Sequence, residues 1–182
     1  MEVTAKIQFV RPCLGNVRRS DYDRMEHDQD GNVIFLPTWW RAAFAKAAQA
    51  INKHHKLVDN IHPALRIYGT MTKIERQYYE QRGDSSVQRI KVHEGFDAGT
   101  TVECSFLLPS EITANQFTEL LEVVGLYFGI SPYGWRQDFG RFRVLSVDKT
   151  TRNGRIRAET GRNGPAKDVD RSAAASSGSS RP

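Results

Sequence analysis

Val3, Ala5, Ile7 and Phe9 fall on one face of an extended chain, with Thr4, Lys6 and Gln8 on the other. That period of two marks a strand with one buried face. Val102, Cys104, Phe106 and Leu108 repeat it between Thr101 and Leu108. A sheet that is apolar on one side only needs a cover, and two segments of helical period supply it. Pro37 and Thr38 open the first, with Thr38 read as the N-cap. Trp40, Phe44, Ala47, Ala48 and Ile51 then recur at helical spacing, and Trp39 falls outside the stripe. The second runs from Thr113 to Phe128, with Phe117, Leu120, Leu121, Val124 and Phe128 on its buried side. Thr113 and Gln116 have the spacing of a capping box.

The remaining elements are shorter. Val33 to Leu36 is an apolar strand behind the turn signal Asp28-Gln29-Asp30-Gly31-Asn32. Leu65 to Gly69 reads as another strand, Ile74 to Val92 is mixed and charged with a strand near Ile90, and Phe142 to Val147 is the last core strand. The order is strand, strand, helix, strand, strand, helix, strand. It predicts an α+β domain, a ferredoxin-like (RRM-like) β-α-β-β-α-β antiparallel sheet with two main helices and a glycine-containing loop after the second. Residues 1–160 are expected to form this single domain, and 161–182 a disordered, basic and serine-rich tail.

The net charge is +5, but residues 152–182 hold seven basic and three acidic side chains, which leaves only +1 for the rest. A polyanion-binding face on the folded body must therefore be local. Cys13 and Cys104 have no metal-ligand spacing and read as reduced, partly buried thiols. No apolar run approaches the length of a membrane span, and the first residues lack the pattern of a signal peptide, so the expected location is the cytoplasm, with no membrane partner. Asp28, Asp30 and Gly31 fall short of a calcium loop, because the position that needs glutamate is Pro37. P-loop, dinucleotide, nucleophile-elbow and zinc patterns are absent, and neither a metal nor a cofactor is expected.

The segment Gly125 to Val144 concentrates glycines, aromatics and arginines between the second helix and the last strand. Arginines pair with phosphates and aromatic rings stack on bases. Tyr133, Trp135, Arg136, Arg141 and Arg143 are the candidate contacts. Arg41, one turn into the first helix, adds a cation near a helix N-terminus, where anions are favoured.

Two segments together resemble the RAMP superfamily, the ferredoxin-like RNA-binding proteins of CRISPR-associated systems. One is Asp28 to Phe44, in which a turn, an apolar strand, a proline, a hydroxyl residue and a basic residue lead into the first helix. The other is Gly125 to Val144, similar to the family's glycine-rich loop, which ends here in Phe139-Gly140-Arg141-Phe142-Arg143-Val144. The chain departs from the family in having Thr38-Trp39-Trp40 where small residues commonly follow the proline, and its loop is poorer in glycine.

The resemblance implies a non-enzymatic binder of single-stranded RNA or other nucleic acid, contacting it through Arg41 and the Ser131–Arg143 loop. It also implies assembly with itself or with other subunits, in a bacterial or phage-infected cell. An alternative is a phage or mobile-element protein that keeps the fold and binds a protein partner, with Trp39, Trp40 and Trp135 at the interface. A third reading is a metal-independent endoribonuclease that uses one of His27, His54, His55, His62 or His93 in acid–base chemistry.

Overall fold

Alternation and capping explain most of the elements in the computed structural model, which describes residues 1–18, 22–51, 57–133 and 138–150. Strand β1 (Glu2–Phe9) buries Val3, Ala5, Ile7 and Phe9. Two-residue strands β2 (Cys13–Leu14), β3 (Glu26–His27) and β4 (Val33–Ile34) follow. Helix α1 (Pro37–Ala50) comes next, then the short β5 (His62–Pro63). Strands β6 (Thr72–Arg82) and β7 (Ser85–Phe96) form a long hairpin. β8 (Thr101–Leu107), α2 (Ala114–Val123) and β9 (Phe142–Lys149) complete the order.

The main sheet runs β5-β8-β1-β9, and every pairing in it is antiparallel. With β1, β5, β8 and β9 taken as its four strands, this is the ferredoxin-like arrangement, with α1 and α2 as the two crossovers. Its covered face is aromatic. Trp40 of α1 meets Phe106 of β8 edge-on at 4.9 Å between ring centres, and Phe106 meets Phe117 of α2 at 4.9 Å. The other face is polar and stitched by side-chain pairs: Thr4 with Ser105, Lys6 with Glu103, and Gln8 accepting from Arg143. β1, β8 and β9 place no aromatic ring on that face.

Several expectations need correction. Leu36, not Thr38, is the N-cap of α1, with no side-chain cap; Pro37 takes the first helical position, where a missing N–H costs nothing. Trp39 is half-buried against Phe35. Leu65 to Gly69 is not a continuous strand: only isolated bridges form, Arg66 to Ile34 and Tyr68 to Glu103, beyond the two-residue β5. Pro63 removes a ladder donor at that edge. The larger surprise is the hairpin, because the sequence pattern predicts strand only near Ile90. In its outer half one face is exposed and the other, with Tyr78, Glu80 and Arg89, is only half-buried, so no full burial imprints apolar alternation on the sequence.

At α2 the capping box is formed, with Thr113 accepting from the Gln116 N–H and Gln116 reaching back to the Thr113 N–H. The helix continues as one π turn, Val124–Phe128, and ends at Gly129 with φ 68°. Residues Met1–Thr150 make one compact unit. The expected boundary at residue 160 and the tail lie outside the described residues.

Candidate nucleic-acid interface

The loop after α2 is held by its own backbone. Gly129 and Gly140 both have positive φ, and they lie so close that a Cβ on Gly129 would strike the Gly140 carbonyl. The Gly140 carbonyl accepts from the Ile130 N–H at 3.0 Å, and the Gly140 N–H donates to the Pro12 carbonyl at 2.7 Å. These glycines let two chain segments cross. Phe142 then plugs the loop into the core, edge-on to Phe9.

Tyr133 is half-buried rather than an open platform. Its hydroxyl donates to Asp23 Oδ2 at 3.3 Å, its ring stands edge-on to His93, and the Arg76 guanidinium lies 4.5 Å from its ring centre. Burial, and then the Asp23 carboxylate, raise the phenol above its ordinary pKa. Arg141 pairs with Asp138 at 2.7 Å, and Arg11 reaches the same carboxylate at 2.9 Å. Arg143 donates to Gln8 on the open face of the sheet. Arg41 is exposed on α1, 3.9 Å from Asp59. Strand alternation puts Arg143 opposite Phe142 and Val144, whereas α1 covers the face to which Phe142 belongs. Arg41 and Arg143 therefore lie on opposite sides of the sheet, and the single surface expected from the sequence is not assembled. Trp135 and Arg136 lie outside the described residues, as do His54 and His55.

The histidine in the richest surroundings is His93. It is fully buried, and its Nδ1 lies 2.9 Å from the Gly15 carbonyl. A carbonyl only accepts, so Nδ1 carries the hydrogen and Nε2 is bare; Nε2 is buried with no partner among the described residues. Burial holds the imidazole below its ordinary pKa, against the pull of the Gly15 carbonyl and Asp23, and Arg76 and Lys91 add to the lowering. Asp23 is also buried and takes Lys91 at 2.8 Å. This cluster clamps the hairpin base to the Tyr133 loop. Among the described residues His93 is closed off from solvent.

Cross-strand register separates the hairpin into two unlike faces. Arg76 lies opposite Lys91, Tyr78 opposite Arg89, Glu80 opposite Val87, and Arg82 opposite Ser85. Directly opposed residues share a face, so Arg76, Arg82, Arg89, Lys91 and Tyr78 line one side with Glu80 as its acid. Glu80 is shared by Arg82 at 3.3 Å and Arg89 at 3.1 Å, and these arginines hold its carboxyl below the usual range. At the base this side meets Tyr133 and Phe139 through Arg76. The opposite side carries Gln77 bonded to Gln88, with Tyr79 and Ile90 exposed. Sequence pattern alone misses this surface. Its one signal is Gly83-Asp84, a turn between two runs rich in strand-forming residues; Gly83 has φ 59°.

A cleft of about 290 Å³ lies between α1 and the loop, lined by Thr38, Trp39, Lys46, Phe128 and Ser131 among others. No group of metal-binding side chains occurs among the described residues.

No protein-family model matches this chain, and no curated protein matches it. Among solved structures, the chain is similar to one chain of the Type III-B Cmr-beta complex, determined by cryo-EM bound to cognate target RNA. The TM-score is 0.62 at 9% identity, and the match covers 81% of this chain and 59% of that one. This chain thus spans less than two thirds of its structural neighbour, and at such identity the shared property is the ferredoxin-like fold.

Proposed function

We propose that the protein binds single-stranded nucleic acid, RNA foremost, as a distant RAMP-like subunit without catalytic activity of its own. The observation that carries this reading is the cationic, tyrosine-bearing face of the β6–β7 hairpin, which descends onto the aromatic loop at Tyr133 and Phe139. Guanidinium and ammonium groups at strand spacing suit a phosphate backbone, and Tyr78 offers a ring for stacking. Arg141, Tyr133, Trp135 and Arg136 would add contacts from the loop, while Arg41 and Arg143 would contact other stretches of a long strand. The likeness to a chain from an RNA-bound assembly supports the reading at the level of fold. Residues 161–182 would add a basic, non-specific arm to a single domain, and the cytoplasm is the proposed location.

Assembly with other copies or subunits is part of this proposal. Leu126 and Tyr127 on the π turn are 58% and 57% exposed beside Phe128, an apolar cluster better suited to a protein than to a phosphate. If that were the protein's whole role, it would form defined oligomers and ignore RNA.

The deciding experiment is fluorescence binding to labelled single-stranded RNA across a salt series, with R82Q/R89Q as the variant. Both arginines are exposed, so the fold should persist. The slope of log affinity against log salt should shrink by about 0.7 for each phosphate that the variant no longer neutralises. An unchanged slope and affinity would remove the hairpin from the interface.

A further inference from the structure

We infer that Arg11 and Arg141 form a phosphate site that Asp138 fills when no ligand is present. The inference deepens the nucleic-acid reading above and rests on it for the identity of the polymer.

The two arginines are brought together by backbone, not by the carboxylate. Val10 and Arg11 both donate their N–H groups to the Arg141 carbonyl, at 2.9 and 3.2 Å. Guanidiniums carried on main chains held this close repel one another when they converge, unless an anion lies between them. Asp138 supplies it: Oδ2 is 2.9 Å from Arg11 Nε, and Oδ1 is 2.7 Å from Arg141 Nε. A phosphodiester presents two non-bridging oxygens in a similar way, and guanidinium groups match it at least as well as a carboxylate.

The geometry marks the Asp138 carboxylate as a poor permanent occupant. Asp138 has positive φ, 59°, a conformation that aspartate and asparagine both tolerate. Arg141 Nε is buried, and despite the short approach its N–H is out of line with the carboxylate, so the contact is an ion pair without a hydrogen bond. A buried donor left in that state gains from a better-placed acceptor. The carboxylate is 45% exposed, so it can swing into water when phosphate takes its place. Asp138 would then lower affinity for every anion and leave the site selective for those that approach both arginines at once.

Two titrations test this. In the first, inorganic phosphate is titrated while the Nε–Hε resonances of Arg11 and Arg141 are followed by NMR. D138N, which keeps a residue tolerant of left-handed backbone, should bind phosphate more tightly than wild type. The gain should vanish in R11Q/D138N. In the second, single-stranded RNA should bind D138N about fourfold more tightly at low salt, a gain that falls as salt rises. D138G, which relieves the backbone and also removes the carboxylate, should behave alike and guards against a folding defect in D138N. Equal or weaker phosphate binding by both variants overturns the inference, even if wild type binds RNA well. Tighter phosphate binding in a protein indifferent to RNA would uphold the site and sink the nucleic-acid reading instead.

Discussion

His93 shows how a single residue couples folding to pH. Burial depresses its folded-state pKa, so the unfolded chain binds the proton more tightly. The contribution of His93 to stability should be constant above about pH 6.5 and fall with acidification down to the depressed folded value, by about 1.4 kcal/mol per pH unit between the two. The groups facing the ring are Gly15, Asp23, Arg76, Lys91 and Tyr133. Thermal unfolding of wild type and H93Q between pH 5 and 8 would show it: the variant's profile should be flatter over the acidic limb, and parallel profiles would refute the linkage. Trp40 makes the complementary case for packing. It is wholly buried among Phe35, Phe44, Phe106 and Phe142, and W40A should cost about 3–5 kcal/mol in denaturant unfolding. The core role of Trp40 is legible in helical spacing. The partners of Tyr133 are not, because Asp23 and His93 reach it from distant segments and no periodicity records such meetings.

At the scale of elements, legibility follows burial. β1, β8 and α2 each press one face on the core, so their sequences carry the period of that face, and the Thr113–Gln116 box marks where α2 begins. T113A should lower stability by about 1 kcal/mol; a smaller loss than about 0.3 kcal/mol would mean that tertiary packing alone holds the α2 start. The β6–β7 hairpin is opaque for the converse reason. Its residues serve an exposed surface, and both its faces mix charge with aromatic and aliphatic side chains. The same independence from the core makes it separable. Arg82 and Ser85 close the native two-residue turn, and Arg76 and Lys91 pair an even number of positions further in, on the same hydrogen-bonded phase of the ladder, so replacing residues 77–90 by Asn-Gly should close a shorter hairpin with a favoured turn. The shortened protein should unfold near the wild-type temperature and lose most affinity for single-stranded RNA. A large drop in melting temperature would instead show that the projecting half is structural.

For the whole molecule, the question is where its excess positive charge acts. Residues 152–182 contribute +4 of the net +5, so on the proposed function a near-neutral body would bind a polyanion by arrangement rather than by total charge. Tail and hairpin then make separable contributions. Removing residues 151–182 leaves the Met1–Thr150 unit whole, and should weaken binding to RNA and duplex DNA alike, since the proposed role of their basic side chains is through charge alone. Removing hairpin charge by R82Q/R89Q should instead weaken single-stranded RNA more than duplex, because on the proposed function strand-spaced cations beside Tyr78 would engage backbone and base together. Binding of both polymers by wild type, the truncation and the double variant, each over the same salt range, separates the two. If truncation alone abolishes binding to every polymer and R82Q/R89Q changes nothing, the folded body has no nucleic-acid surface. The exposed Leu126–Tyr127 cluster would then be the place to look for what it binds.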